Sequence, residues 1–461
     1  MTVDTDSQSY REEQDSMGTV RVPADAYYGS QTQRAVDNFM QSGLKPPLAL
    51  IRALALIKRL AAETNLALGL LPDQSARAIV QAAHEVAAGR WDDQFVVDLF
   101  QTGSGTSTNM NMNEVLAGRA NEILTGRRGG RAPVHPNDHV NLGQSSNDLI
   151  PSALHVAAVM AIHNALLPAL THLQSALAEK RDAFAAIRKI GRTHLQDAVP
   201  MTLGEAFSAF VRQIELGGRR VEGVLPRLTE LALGGTAVGN GLNTHPEFAA
   251  RTIAALSSET GIVFKEAANR FEAQAARDAA VETSGAVKTV AVSLIKIAND
   301  IRWMGSGPRC GIGELQLPAL QPGSSIMPGK VNPVIPEAVI QVAYQVMGND
   351  TAIALAGQSG NFELNVTLPL VAHNLLQSVE LLAGAARLLA DKCVRHLAAD
   401  RQRCEGYIEQ SLALATALVP HIGYDRAAEL AKRAYESGRT VRQVAAAEKL
   451  LPEETLNRLL G

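Results

Sequence analysis

Five stretches of the chain repeat apolar residues every three to four positions over unusually long segments, and nothing else in the sequence limits the fold as much. Ile162, Leu166, Leu170, Leu173 and Leu177 form one stripe; Leu203, Phe207, Phe210, Ile214, Val221, Val224 and Leu228 form a second. Val287, Leu294, Ile297 and Ile301 form a third, Val339, Ala343 and Val346 begin a fourth, and Leu375, Val379, Leu382, Ala386 and Leu389 form a fifth. That spacing puts each set on one helix face, in segments of about 20–35 residues, longer than an average globular helix. Five such helices predict an elongated bundle. Its apolar faces exceed what one subunit covers, so a closed symmetric oligomer is expected. Pro168 and Pro226 sit inside two of the patterns and predict kinks there.

The rest of the composition agrees with a mainly α protein. Aromatic residues are only 4%, while Ala and Leu, strong helix formers, are abundant. A chain of 461 residues with 46% hydrophobic content is too large for one core. We expect a mixed, mostly helical N-terminal domain over 1–144, a central helical bundle over 145–401 and a small helical C-terminal domain over 402–461. Near the start, Leu50, Leu54, Ile57 and Ala61 keep helical spacing behind Pro46-Pro47, and a second helix runs from Asp73 to Ala88 with Gly89 stopping it. The basic stretch Gly126–Arg131 reads as an exposed loop. Strand signals are weak, and Gly234–Gly241 (GGTAVGNG) lacks the spacing of a dinucleotide loop.

Lys+Arg total 43 against Asp+Glu 46, which excludes the basic footprint of a nucleic-acid binder. Cys310, Cys393 and Cys404 form no CxxC pair, and their odd number argues against a disulfide framework and for a reducing compartment. The polar, acidic start lacks the features of a signal or transit peptide, and no apolar run reads as long enough to span a membrane. A cytoplasmic protein is expected.

Four segments bury nothing obvious and are dense in small polar groups: Gly103–Glu114 (GSGTSTNMNMNE), His135–Asp148 (HPNDHVNLGQSSND), Gly191–Pro200 (GRTHLQDAVP) and Gly323–Pro333 (GSSIMPGKVNP). They read as loops and caps. Hydroxyls, amides and helix N-terminal N–H groups donate to carboxylate oxygens, and Lys or Arg adds charge, so this inventory suits a dicarboxylate.

GSSIMPGKVNP closely resembles the signature of the fumarase/aspartase superfamily. The other three segments resemble its active-site regions in the same order, and the similarity runs from about Asp15 to near the C-terminus. The resemblance implies a three-domain fold whose five-helix bundle forms a 20-helix core in a homotetramer, with active sites shared by three subunits. Within the superfamily, His194 in GRTH, Ser145-Ser146-Asn147-Asp148 and Pro328-Gly329-Lys330 are similar to fumarases, as are Gly360–Val366 (GNFELNV) and Pro420–Asp425 (PHIGYD). Gly105–Thr108 (GTST) and Asn332–Glu337 (NPVIPE) look more like aspartases.

The activity implied is reversible hydration of fumarate to L-malate through an aci-carboxylate, without cofactor or metal. An ammonia-lyase acting on aspartate, or an inactive structural homologue, are the alternatives. By match to the family motifs, Ser324 and His194 supply the acid/base pair. Glu337 sets the histidine's protonation, and Lys330 stabilises the charge that grows on the carboxylate. Ser104, Gly105, Thr106, Ser145, Ser146, Asn147, Thr193, Ser325, Lys330, Val331 and Asn332 would bind substrate. Gly323 and Gly329 would let the signature loop close. His135-Pro136-Asn137-Asp138 resembles a second, non-catalytic anion site; the basic residue often found three positions earlier is Ala132 here, beside Arg131.

Without the resemblance the same residues read more plainly. Ser324 is a cap, Lys330 a solvated charge, Glu337 a first-turn carboxylate and the Asn/Thr run a set of caps and turns. His135 and His139 are four apart, but Pro136 disfavours one helix face and no cluster completes a metal shell. His155, His163 and His172 read as ordinary helix residues, and Met110 and Met112 as packing.

Overall fold

The computed structural model describes residues 9–460, so the leader reading of residues 1–8 lies outside it. The backbone separates into two discontinuous units. One comprises Met1–Leu167, Arg219–Thr289 and Tyr344–Leu382; the other comprises Pro168–Gly218, Val290–Ala343 and Ala383–Gly461.

The first unit opens with an antiparallel hairpin, β1 (Tyr10–Asp15) and β2 (Gly18–Pro23), that the sequence pattern did not predict. Arg11 fastens it by donating to the carbonyls of Pro23, Ala26 and Tyr28. Helices α1 (Ser30–Asn38), α2 (Leu48–Ala67), α3 (Asp73–Ala87) and α4 (Thr106–Thr125) follow. Both early helices expected from sequence, α2 and α3, form, and Gly89 lies just beyond α3 at φ +80°. Helix α2 packs against α3 and against α5 (Ser146–Ala161), burying Leu50, Leu54, Ile57 and Ile79 completely or nearly so. Each such side chain contributes ~1.5–3 kcal/mol of hydrophobic stabilisation.

The run after Thr106 is a helix, where the sequence suggested caps and turns. The small polar side chains there bind outward to other backbone instead of competing with their own. Asn111 exchanges hydrogen bonds with the Gln94 carbonyl and the Val96 N–H. The Glu114 carboxylate accepts from the N–H groups of Gly29, Gln31 and Thr32, supplying the cap that α1 lacks from its own sequence. Met110 and Met112 are buried.

Helix α5 continues through a π-turn (Ile162–Leu166) into α6 (Leu167–Ala183), so the first apolar stripe belongs to a helix that starts sixteen residues earlier, at Ser146. The Leu167 N–H bonds to the Ile162 carbonyl, and this wider turn directly precedes Pro168. By length and composition, Ser146–Ala183 could cross a membrane, contrary to the sequence reading. More than half of its most apolar stretch is buried inside the protein, with Leu149, Leu154, Val156, Ile162 and Leu166 inaccessible.

The remaining stripes are α7 (Leu203–Leu228), α10 (Asp278–Met304), α11 (Val334–Gly357) and α12 (Leu368–Lys392), with α8 (Phe248–Thr260) and α9 (Arg270–Ala275) between them. Pro226 falls in the last turn of α7. Every stripe residue named from the sequence on these four helices is buried. The fold is mainly α, as the pattern required.

In the second unit, GRTHLQDAVP is not a loop. It forms an antiparallel hairpin, β3 (Arg188–Thr193) and β4 (Gln196–Thr202). Polar residues on an edge ribbon leave no apolar alternation to read; the ribbon is held by charge instead. Lys189 and Arg192 meet the fully buried Glu314 at 3.3 and 2.8 Å. The same unit ends in α13 (Arg401–Gln410), α14 (Ala415–Ile422), α15 (Tyr424–Ser437), α16 (Val441–Ala447) and α17 (Glu453–Leu460). Leu414, Leu418, Leu430, Ala434, Val441, Val444 and Leu456 form a local core there.

Candidate active site

In the first unit, two helix N-termini present hydroxyls to one another. Helix α4 starts at Thr106 and α5 at Ser146. Ser104 Oγ lies 2.8 Å from Thr106 Oγ1, which lies 2.7 Å from Ser146 Oγ. Three hydroxyls from two of the four polar segments thus form one hydrogen-bonded chain at the starts of two helices, the positive ends of their dipoles. Gly103 and Gly105 permit this approach. A Cβ on Gly103 would lie 1.6 Å from the Val366 carbonyl oxygen, and Gly105 is left-handed at φ +73° with Ile150 only 2.9 Å from where its Cβ would stand. The Leu368 N–H bonds to the Gly103 carbonyl, so the segment GNFELNV joins the same assembly.

The first turn of α5 is fixed by a capping box: Ser145 Oγ accepts from Asn147 N–H, and the Asp148 carboxylate accepts from Ser145 N–H at 2.9 Å. Asn147 Nδ2 donates to the Ala237 carbonyl at 2.9 Å. Asp148, named from the sequence only as part of the SSND motif, was given no role there. Its second oxygen accepts from the N–H groups of Gly234 and Thr236, both at 2.9 Å. The Gly-rich turn rejected as a dinucleotide loop therefore holds the α5 N-terminus. Burial raises the Asp148 carboxyl to about 6, opposed by these N–H donors and by Lys58. Lys58 is itself fully buried and held well below its ordinary value by desolvation; its ammonium group donates to Asn141 Oδ1 at 2.9 Å.

Residues Pro136–Val140 form a single π-helical turn capped by His135. The backbone N–H of Asn137 and of Asp138 donate to His135 Nδ1, and His135 N–H donates to His139 Nδ1. His135 Nδ1 is thus an acceptor, leaving the proton on Nε2 of a neutral ring. Burial, reinforced by Arg131, lowers its basicity. Pro136 is buried in this turn, which leads through Asn141 to Ser145. Among the described residues no cluster of three or more His, Cys, Asp or Glu side chains has metal-binding geometry.

The second unit carries the groups expected to do the chemistry: His194 and Lys330 are exposed, and Ser324 and Glu337 are half-buried. His194 and Leu195 form the two-residue tip of the β3–β4 hairpin, closed by the Thr193–Gln196 pair. Both have positive φ, 56° and 62°. Such a tip favours Asn-Gly; a His-Leu pair there costs ~1–3 kcal/mol per residue. Strain of this size is kept where a side chain must be held in a particular place.

Ser324 caps a turn: its Oγ accepts from the Ile326 and Met327 N–H groups at 3.2 and 3.0 Å. The cap reading of this serine is literal, and such donors also favour charge on the oxygen. The loop is closed at its base by Gly323 N–H to the Lys330 carbonyl and by Asn332 Nδ2 to the Gly323 carbonyl, both at 2.7 Å. A Cβ on Gly323 would lie 2.6 Å from the Lys330 oxygen. Gly323 is thus a close-packed base and not a hinge, whereas Gly329, at φ +80° with open space around it, shapes the exposed tip. Ser325, Lys330 and Val331 are exposed on that loop. Glu337 lies in the first turn of α11, and within the chain no ion pair joins it to His194 among the described residues.

The matches to known proteins point one way. A family model described as "Lyase" matches residues 18–348, and one described as "Fumarase C C-terminus" matches residues 414–461. A class II fumarate hydratase of Nitrosomonas europaea is 58% identical over 95% of this chain and 94% of its own. The chain belongs to the class II fumarate hydratases. A relative of the same name in Thermosynechococcus vestitus is 53% identical over 99% of this chain and 97% of its own. The crystal structure of a class II fumarase from Schistosoma mansoni superimposes with a TM-score of 0.95 at 42% identity, covering 98% of both chains. The class II fumarate hydratase fold thus spans nearly the whole chain, and the family resemblance read from GSSIMPGKVNP holds.

Proposed function

We infer that this chain is a fumarate hydratase that adds water reversibly across the double bond of fumarate to give L-malate, in the manner of the tricarboxylic acid cycle. The observation that carries this reading is the hydroxyl chain Ser104–Thr106–Ser146 at two helix starts, in a chain 58% identical to a curated fumarate hydratase. Such a cradle donates to carboxylate oxygens without a cofactor.

Read from malate, the reaction removes a proton from C3 and expels hydroxide from C2. The C3 anion is accessible only if the adjacent carboxylate takes up the charge, so the site must hold that group more tightly as the charge grows. Ser104, Thr106, Ser145, Ser146, Asn147 and Thr193 orient the two carboxylates, with Gly105 giving them room. Lys330 supplies positive charge, with Ser325, Val331 and the remaining hydrogen-bonding capacity of Asn332 beside it. Ser324, as an alkoxide favoured by its two N–H donors, takes the C3 proton, and His194 protonates the departing hydroxyl with Glu337 as its carboxylate partner. His135, Pro136, Asn137 and Asp138 form the second anion-binding turn.

We propose a homotetramer in which each site takes segments from three subunits. Tyr344 and Leu355, each 59% exposed, lie on one face of α11, away from its buried stripe, with the partly exposed Met347 at that face's edge. An apolar face of this kind fits a second copy of the chain. A reducing, cytoplasmic setting suits its three free cysteines. The deciding experiment presents purified protein with L-malate and with L-aspartate. Fumarate formation from malate alone is expected; turnover of aspartate but not malate would overturn the reading.

A further inference from the structure

Three groups at the start of α5 that the proposed function assigns to substrate, Ser145, Ser146 and Asn147, are half-buried and stand next to one inaccessible carboxylate, Asp148. We propose that Asp148 is a positioning residue for the dicarboxylate site: it locks the α5 N-terminus to the turn at Gly234–Ala237 and so sets the hydroxyl and amide geometry that substrate meets. This inference rests on the reading of the Ser104–Thr106–Ser146 cradle as the substrate site.

Asp148 is 0% exposed and uses both oxygens, one toward Ser145 N–H and one toward Gly234 and Thr236 N–H. All three partners are donors, so the geometry requires an ionised carboxylate with no proton of its own to place. The turn that it grips holds one residue in an unfavourable conformation: Thr236, β-branched, is left-handed at φ +55°, whereas Gly234 accommodates φ +88° freely. The same turn receives Asn147 Nδ2 at the Ala237 carbonyl and Gln274 Nε2 at the Thr236 carbonyl, both at 2.9 Å. Ser146 Oγ then bonds to Thr106 Oγ1. A continuous set of bonds therefore links Gln274, the turn, Asp148, the start of α5 and the hydroxyl cradle.

Asp148→Asn keeps the shape and breaks the logic. Whichever way the amide turns, its NH₂ group faces a backbone N–H, either that of Ser145 or those of Gly234 and Thr236. The assembled enzyme bearing Asp148→Asn should show KM for malate and Ki for succinate, a non-reacting dicarboxylate, raised about tenfold or more, with kcat within about threefold of the parent. A purely structural role would lower the unfolding temperature and the active fraction without moving KM and Ki together. Gln274→Met, which loosens the same turn from outside the site, should raise KM by a smaller factor at unchanged kcat, and it decides the matter if Asp148→Asn does not fold. Unchanged KM and Ki in the folded Asp148→Asn enzyme, or in Gln274→Met when that is the only folded variant, would overturn the proposal. Ser146→Ala separates the two levels of inference. If it too leaves KM unchanged, the substrate-site reading has failed; if it raises KM while the Asp148 and Gln274 variants do not, only the positioning role has.

Discussion

The cradle around Thr106 and Ser146 and the tips carrying His194 and Ser324 are built on opposite principles. In the first, every group is braced within its own unit. The hydroxyls bond in series, glycines at 103 and 105 let backbone come close, and Asp148 fixes the helix start from behind. In the second, the reactive side chains stand on surface turns, His194 at an exposed, strained hairpin tip and the half-buried Ser324 on a loop held by its own turn and closed at its base. The contrast teaches that holding and reacting have different structural needs. Orienting a carboxylate rewards a rigid set of donors fixed in advance. A general acid or base must reach a group held elsewhere, and here it is carried on a short rigid arm. The hairpin arm is rigid because Glu314 pairs with Lys189 and Arg192 beneath it.

This contrast can be broken most directly at the surface turns. Ser324→Ala should lower kcat ~10²–10⁴-fold while leaving folding and assembly intact, because the loop contributes no core. Near-normal turnover would remove Ser324 from the chemistry and leave only its role as a turn cap. His194→Asn should come next, with kcat lower by at least ~10²-fold. Asn tolerates positive φ, so this variant keeps the hairpin while removing the imidazole. Unchanged kinetics would mean that the strained tip serves some other purpose. Below these, Glu314→Gln should destabilise the folded chain by ~3–5 kcal/mol, since it leaves two cations beside a buried neutral amide. A melting temperature equal to the parent's would show that the hairpin does not depend on this anchor.

The braced region also has a distinctive acid response. His155 is buried, donates from Nδ1 to the Glu230 carbonyl at 2.9 Å, and is pushed down to about 4 by desolvation and by Arg277. Its folded value lies below the unfolded one, so the stability it contributes is present above about pH 6.5 and is lost as pH falls towards 4, amounting to ~3 kcal/mol. Asp148 opposes it: a carboxyl raised to about 6 favours the folded state below its unfolded value near 3.8 and loses that contribution as pH rises through 6. His155→Gln should therefore lose less stability than the parent between pH 7 and pH 4.5 in denaturant melts. Parallel losses in the two proteins would rule His155 out as the cause.

What could be read from the sequence follows the same division. The five stripes became five helices because one-sided burial repeats at helical spacing, which needs no knowledge of partners. The helix Thr106–Thr125 was missed because Asn109, Asn111 and Asn113 look like turn formers until their distant partners are known. The β3–β4 hairpin was missed because its strands are held by a buried ion pair and carry no apolar alternation. Ser324, Lys330 and His194 were legible only through the family motif; by residue type alone each has an ordinary structural reading, and Ser324 fulfils its own. Asp148 stood in plain view inside SSND, yet its role appears only when Gly234 and Thr236, some ninety residues later, turn their N–H groups towards it.

The smallest effect tests the cradle itself. Thr106 Oγ1 sits between Ser104 and Ser146, so it is the one hydroxyl whose loss interrupts the chain on both sides. Thr106→Val keeps the branched shape at the start of α4 and removes only the oxygen. If the three hydroxyls act together on substrate, KM should rise about tenfold, the equivalent of one or two hydrogen bonds to a charged group, with kcat little changed. If the hydroxyls merely satisfy one another, the variant should instead lose a fraction of a kilocalorie to ~1.5 kcal/mol of stability and keep its KM. The two outcomes separate a substrate cradle from a polar joint between helix ends.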